Sequence, residues 1–418
     1  MGAEHRTSGR LRVLVQNHKK QEVNRVRTLS GRVAIALTVS AILTLSACSK
    51  DVGDGAKTAA AEPASTEKVD ISAAQAIYES MKEIPKFTPP GPAFDATKAR
   101  GKKIFYIPLN SGIPFDSLIT EASVRAAKAA GVDISVYANQ GQVSQWVQGM
   151  NTAISQKADV IVLEGAPDTA LLGPQIAAAK KAGIAVISTH LYDEAYAAQA
   201  LKEYPDLTAI VPANHYEGGR MMAISAIVNT GGHVNSLFIT SNEVQPAAGI
   251  AKAYQDELAK QCPKTCKVTI TNIPISDWAT KVQGTVQTAL IRDKTINVVN
   301  PVFDGMTQYI AAGIKQARAE DRVKITAYNG TASVLQMIQR QDLVVADAGE
   351  PTEWLGWANI DQALRILAGV EPVATEKTPL RIFDKSNVDE AGTPAVQTQG
   401  YGDPQEVING YKKLWGVG

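Results

Sequence analysis

From residue 101 the chain alternates short β-branched runs with Ala-rich helical stretches, and this alternation constrains the fold more than any other feature. Runs at 103–107, 134–137, 160–163 and 185–187 are separated by helical stretches that end at Ala130, Gln156 and Gly183. Such spacing predicts βαβ units and a parallel sheet, because parallel neighbours need a long crossover and a helix supplies it. Gly131, Gly183 and Gly232 each stand where a helix must end before a strand begins, the position that favours a left-handed cap. The rhythm restarts near residue 216, with runs at 234–239, 268–270, 296–299 and 323–326. The predicted fold is therefore α/β, with two doubly wound parallel-sheet lobes. A chain of 418 residues, 45% hydrophobic and 20% charged, is long enough to bury two such cores. Ligands of open α/β sheets gather outside the carboxyl ends of the strands, so two facing sheets would line a cleft with strand-to-helix loops.

The N-terminal region differs in kind. Residues 1–47 carry eight Lys and Arg against two acids, a net of +6, which leaves the rest of the chain at −5. A mildly acidic body with no basic stripe lacks the charge footprint of a nucleic-acid binder. The basic stretch runs into the apolar segment 33–47, the length of a secretory apolar region and too short to span a bilayer comfortably. It is apolar on every face, unlike an amphipathic core helix. The end of that segment with the next residue, Leu45-Ser46-Ala47-Cys48, resembles the lipobox of bacterial lipoproteins. That resemblance implies a signal peptide over 1–47, acylation of Cys48, and export to the outer face of the cytoplasmic membrane or the periplasm. Residues 48–70, rich in Ala, Gly, Ser, Thr and charge, read as a flexible tether. Within 71–100, helical spacing from Ile71 to Phe87 meets the breaker sequence at 88–94, which predicts one lead-in helix and a Pro-rich loop. In an exported, oxidising setting Cys262 and Cys266 are expected to form a local disulfide. No histidine cluster accompanies them, so no metal site is expected.

The body, 101–418, resembles the type I periplasmic solute-binding proteins, in particular the ribose-binding-like subgroup that serves sugar ABC transporters. The resemblance rests on Asn110 with Pro114-Phe115, Asn214 before Gly218-Gly219, Ser276-Asp277-Trp278, Phe303-Asp304-Gly305 and Tyr328-Asn329-Gly330-Thr331, in that order. It implies lobes that exchange strands through three hinge crossings near Ala213, Glu350 and Arg381. Lobe one would comprise 101–212 and 351–381, and lobe two 213–350 and 382–418. Trp354 and Trp357 are expected to pack in the core or hinge rather than against ligand.

Family members hold a sugar between aromatic faces and bond its hydroxyls with polar side chains from the strand-end loops. Carried over by position, Phe115 and Trp278 become stacking aromatics. Asn329 stands where the family usually has Asp, and Glu350 where it often has Gln. Asn110, Asp116, Asn214 and Asp304 complete the polar candidates. His190 and His215 either bond a hydroxyl or satisfy hinge carbonyls. Departures accompany the match: His190-Leu191 replaces an Asp-Arg pair, the family's Arg after Ser241 is absent, and Phe303 occupies a ligand-binding Asn position.

The segments 110–116, 164–171, 189–196, 214–219, 240–249, 274–280, 300–307, 328–333 and 347–354 contain no Lys or Arg, and they contain Asp116, Glu164, Asp277, Asp304 and Glu350. A buried anion needs a cation or several helix N-termini to offset its desolvation, so the expected ligand is neutral or cationic. Asp168, Asp193, Glu194 and Glu217 fit helix-capping or solvated positions. The leading expectation is a monomeric, lipid-anchored receptor of an ABC importer that closes on a small neutral polyhydroxy ligand and requires no cofactor. The same fold binding a nucleoside, an autoinducer-like furanose or a cationic metabolite, in signalling rather than uptake, is the alternative. An enzyme is disfavoured by the lack of a Gly-x-Ser-x-Gly, His-Glu-x-x-His or Walker motif. A repressor would need an N-terminal helix-turn-helix in place of the signal segment.

Overall fold

The structure is a computed structural model that describes residues 68–165 and 167–418. The expected signal peptide, Cys48 and nearly all of the expected tether lie outside the described residues. After α1 (Ser72–Ser80), the first lobe alternates β1 (Lys103–Pro108), α2 (Pro114–Ala130), β2 (Asp133–Val136), α3 (Val143–Ser155), β3 (Val160–Glu164), α4 (Gly173–Lys181), β4 (Ala185–Asp193), α5 (Glu194–Glu203) and β5 (Ala209–Ala213). Its five strands are all parallel, in the order β2-β1-β3-β4-β5. The inner strands are buried on both faces, which is why they read as continuous apolar runs.

The second lobe continues with α6 (His215–Thr230), β6 (Asn235–Thr240), α7 (Ala247–Gln261), β7 (Lys267–Asn272), α8 (Gln283–Arg292), β8 (Val298–Pro301), α9 (Thr307–Gln316), β9 (Lys324–Asn329), α10 (Ala332–Gln339) and β10 (Val344–Gly349). Then come α11 (Thr352–Leu367), β11 (Arg381–Asp384) and α12 (Pro404–Trp415). The second sheet has the order β11-β10-β9-β8-β6-β7, parallel except for β11, which runs antiparallel to β10. Both sheets reverse their strand order near the middle, at β1/β3 and at β6/β8, and ligand crevices open at such switch points. The fold is the α/β, two-lobed arrangement expected from the alternation.

Close backbone approach explains the paired glycines of α6. A Cβ on Gly218 would stand 2.7 Å from the Tyr328 ring, and one on Gly219 would overlap the Ile250 carbonyl oxygen. Cys262 and Cys266 form a disulfide. Among the described residues no helix is long and apolar enough to cross a membrane.

Helix α11 returns to the first lobe, where Ser123 Oγ donates to the Gly356 carbonyl at 3.2 Å and Asn359 Nδ2 donates to Tyr106 Oη at 3.0 Å. Trp354 and Trp357 are buried in that core. Two features depart from the sequence expectation. Residues 382–418, expected in lobe two, divide: β11 joins the second sheet, but α12 packs in the first lobe. Its Trp415 stacks on Trp357 at 5.2 Å and donates from Nε1 to Asp361 Oδ1 at 2.6 Å, a partner only α11 provides. The lead-in helix ends at Ser80 rather than near Phe87, because the hinge captures the next carbonyls. Ile382 N donates to Met81 O, and Arg381 Nε to Lys82 O, each at 2.8 Å. Helix α1 puts Ala74 and Tyr78 into the second-lobe core, whereas Phe87 packs on Trp354 and Tyr411 of the first. The segments around 81–87 and 400–404 therefore add crossings to those near 213, 350 and 381.

Candidate ligand-binding cleft

Most of the carried-over residues form one contact chain between the lobes. Phe115, in the first turn of α2, lies 5.5 Å from the His190 ring. His190 Nε2 meets Glu350 Oε2 at 3.3 Å. Glu350 Oε1 accepts from Asn329 Nδ2 at 2.8 Å, and Asn329 Oδ1 accepts from Asp304 N at 3.3 Å. Beside Asp304, a Cβ on Gly305 would stand 3.0 Å from the Trp278 ring. Asn110 joins through its backbone N–H, which donates to Asp116 Oδ2 at 3.2 Å. His215 joins through Nε2, which donates to the His190 carbonyl at 3.1 Å. Asn214 is turned elsewhere: its Nδ2 donates to the Thr378 carbonyl in the hinge at 2.5 Å.

Two chain members are held in unusual backbone. Strand β4 runs beyond the apolar run at 185–187 to Asp193, with an irregular register between Thr189 and Asp193. Inside that irregularity His190 has φ 61°, and Asn329 at the end of β9 has φ 130°. Such conformations cost non-glycine residues about 1–3 kcal/mol and gather at ligand clamps. Trp278 opens a π-helical turn, Trp278–Val282, and its Nε1 donates to Ser241 Oγ at 2.9 Å.

Five carboxyls are buried around this chain: Asp116, Glu164, Asp304, Asp347 and Glu350. Desolvation pushes Asp116 up to about 7, against the opposing pull of His190 and the Asn110 N–H. It raises Glu164 well above the usual range, and the Asp116 charge adds to the effect. Asp304 is also pushed up to about 7 by burial, although Thr331 N and Oγ1 each donate to its Oδ2 at 2.7 Å. Asp347 is raised well above the usual range by burial and by Asp304, with which it shares a side-chain hydrogen bond. Glu350 behaves oppositely: burial would raise it, but the facing His190, the nearby His215 and Asn329 hold it below the usual value. Burial would lower His190, yet Glu350 and then Asp116 raise it. His215 is pushed down to about 4 by burial and then by His190. Its neutral ring donates from Nε2 and accepts at Nδ1 from Tyr328 Oη at 3.3 Å.

Glu164 and Asp347 gain their significance only in three dimensions. Each ends or lines a buried strand, and neither belongs to a local motif. Gln397 and Tyr401 carried no strand rhythm to mark them. Gln397 is buried with Nε2 3.4 Å from the Asn329 carbonyl, and Tyr401 is buried against Gly330 and Gly349. No group of three or more His, Cys, Asp or Glu able to hold a metal occurs among the described residues. A cavity of about 740 Å³ lies away from the chain, between α1 and the β9–β11 edge. In its wall Lys82 bridges Glu79 at 2.7 Å and Asp384 at 3.3 Å, while Lys324 bonds the Glu320 carbonyl and Lys385 the Gln341 amide. A smaller one of about 300 Å³ borders His215, with Asp193, Tyr196 and Tyr216 in its wall.

Residues 104–371 match the model of the periplasmic binding protein domain. The chain belongs to the periplasmic binding protein family. The D-apiose import binding protein of Paraburkholderia graminis is 25% identical over 232 residues, covering 55% of this chain and 70% of that protein. An ABC transporter solute-binding protein from Agrobacterium vitis, bound with alpha-D-tagatopyranose, superposes with a TM-score of 0.62 at 20% identity, over 71% of this chain and 99% of that one. A second Agrobacterium vitis solute-binding protein, with bound allitol, gives a TM-score of 0.60 at 19% identity and the same coverage. These likenesses show the type I periplasmic binding protein fold.

Proposed function

We propose that this periplasmic binding protein is the extracytoplasmic receptor of an ABC importer, anchored by lipid on Cys48. Its two lobes close on a small neutral polyhydroxy ligand. The observation that carries this reading is the chain from Phe115 through His190, Glu350, Asn329 and Asp304 to Trp278, which joins both lobes without a Lys or Arg. Carboxyls suit hydroxyl donors, aromatic faces suit the C–H side of a ring, and an anionic ligand would find only His190, whose charge is already paired with Glu350. Asp116 and Asp304 hold protons up to about pH 7, so the acidic cluster carries less charge than its composition suggests. This supports a neutral ligand over a cationic metabolite. The names of the relatives, which include a D-apiose import binding protein and solute-binding proteins with bound alpha-D-tagatopyranose and allitol, lend the same support. No chemical step is required: ligand stabilises the closed arrangement, and the permease recognises that shape.

Thermal unfolding with a panel of neutral polyols and sugars, sugar acids, nucleosides, amino acids and organic cations tests the ligand class. A rise in Tm confined to neutral polyhydroxy compounds is expected. A response only to cations or amino acids would overturn it. The anchor is tested separately: Cys48→Ala should move the protein from the membrane fraction to the soluble one.

A further inference from the structure

Asn329 and Glu350, at the centre of the contact chain, are locked to each other. Glu350 N donates to the Asn329 carbonyl at 3.2 Å, and Asn329 Nδ2 donates back to Glu350 Oε1 at 2.8 Å. Each has a glycine beside it, Gly330 after Asn329 and Gly349 before Glu350, and both glycines pack against one side chain. A Cβ on Gly349 would overlap Tyr401 Oη, and one on Gly330 would stand 2.9 Å from the same atom. Tyr401 is buried, its hydroxyl has no hydrogen-bond partner, and its ring meets Phe383 edge-on at 5.2 Å. It therefore acts by contact, as a peg behind the ends of β9 and β10. Gln397, also buried, brings its Nε2 to 3.4 Å from the Asn329 carbonyl.

The segment that carries both residues is fixed independently of the cleft. Ala395 N donates to Gln339 Oε1 of α10 at 2.9 Å, and its carbonyl accepts from Gln336 Nε2 at 3.0 Å. On the other side Arg381, in β11, donates from Nη1 to the Gly400 carbonyl and pairs with Glu390 at 2.7 Å. This segment lies beyond the stretch that matches the periplasmic binding protein domain, 104–371. Asn329 needs such support, because its φ of 130° is costly to a residue with a Cβ and persists only where the surroundings enforce it.

We propose, on the reading that Asn329 and Glu350 grip a polyhydroxy ligand, that Tyr401 and Gln397 are positioning residues: a peg and a hydrogen bond, supplied by the C-terminal segment, that fix the spacing of that grip. Binding groups hold their geometry only when the residues behind them are themselves locked by packing. Tyr401 and Gln397 act through Asn329 and Glu350, not on the ligand. His190 reports the geometry without any ligand, because its Nε2 faces Glu350 Oε2 at 3.3 Å. Burial lowers its imidazole, and Glu350, then Asp116, raise it. Its other titratable neighbour, His215 at 5.1 Å between ring centres, is neutral.

Tyr401→Leu, Tyr401→Phe and Gln397→Leu are compared with Tyr254→Leu, which removes a buried tyrosine ring from the same core, against Phe238 at 5.2 Å. NMR titration of the ligand-free proteins should show His190 titrating lower, toward 6.5, in the first three and unchanged in Tyr254→Leu. Tyr401→Phe keeps the ring and loses only the hydroxyl that meets the glycines, so it decides the matter if Tyr401→Leu fails to fold. Isothermal titration with allitol and with D-tagatose should show the same three variants binding about fivefold more weakly, the worth of roughly one hydrogen bond, and Tyr254→Leu binding as wild type does. His190 titrations and affinities that stay at wild type, or that Tyr254→Leu alters equally, would overturn the positioning role. Wild-type protein that binds neither compound would count instead against the polyhydroxy reading, and the His190 titration alone would then decide the role of Tyr401 and Gln397.

Discussion

Asp347→Asn should stabilise the protein at alkaline pH while changing little at acid pH. Asp347 is fully buried in β10, with Oδ1 3.3 Å from Gly330 N and Oδ2 without a donor. Apart from each other's carboxyl, neither Asp347 Oδ2 nor Asp304 Oδ1 has a hydrogen-bond partner, and the bond the two share requires one proton between them. Glu350 and Tyr401 also face this pair, and neither supplies a positive charge. The sign follows from proton binding. Asp304 is raised from 3.8 to about 7 in the fold, so between those values the folded chain holds a proton that the unfolded chain has lost. Stability must then fall as pH rises. Each unit corresponds to about 1.4 kcal/mol, so the pair forfeits up to about 4 kcal/mol between pH 4 and pH 7. An amide at 347 donates to Asp304 without a titrating proton. Urea unfolding followed by tryptophan fluorescence at pH 5 and pH 8 reads the outcome. The variant should lie within about 1 kcal/mol of wild type at pH 5 and exceed it by about 2–4 kcal/mol at pH 8. Equal destabilisation at both values would refute the shared proton.

The other pH-sensitive pair carries the opposite charges. Glu350 is lowered and His190 raised, so their attraction is fully present between 4.5 and 6.5. It is lost as pH falls through the lowered Glu350 value or rises through the raised His190 value. NMR titration should place the His190 imidazole above 6.5 and show it fall in Glu350→Gln; no change would remove the pairing. Trp278→Ala should weaken ligand about ten- to a hundredfold by calorimetry, with only a small change in Tm, because the half-buried ring stands at the cleft side of its lobe. Gly356→Ala should lower the urea midpoint, with a loss of about 2 kcal/mol or more. The added Cβ would overlap Ala122 Cβ and stand 2.7 Å from the Ile119 carbonyl where α11 crosses α2.

The two-lobed core was legible because buried parallel strands leave continuous apolar runs and their crossovers must be helical. The ends of the chain were less so. Helix α12 presents an apolar face that either lobe could cover, and only Trp357 and Asp361, some fifty residues away, decide between them. The lead-in helix had apolar spacing past residue 80, but Ile382 and Arg381 claim its carbonyls through contacts about three hundred residues distant. At the cleft, sequence order brought Phe115, His190, Asn329, Glu350 and Asp304 forward as candidates, and the structure places them in contact. Asn214 was drawn into the hinge instead. The carboxyl pairings of Asp304 with Asp347 and of Asp116 with Glu164 had no local signature, since each depends on which loops face one another and on how much water burial removes.

A crystal structure of the ligand-saturated protein tests the central claim most directly. The account predicts a neutral polyhydroxy molecule between the lobes, its hydroxyls within hydrogen-bond distance of Asp304, Asn329 or Glu350, and Trp278 or Phe115 against its carbon face. A charged ligand in that position, or a ligand seated only in the cavity beneath α1, would contradict it.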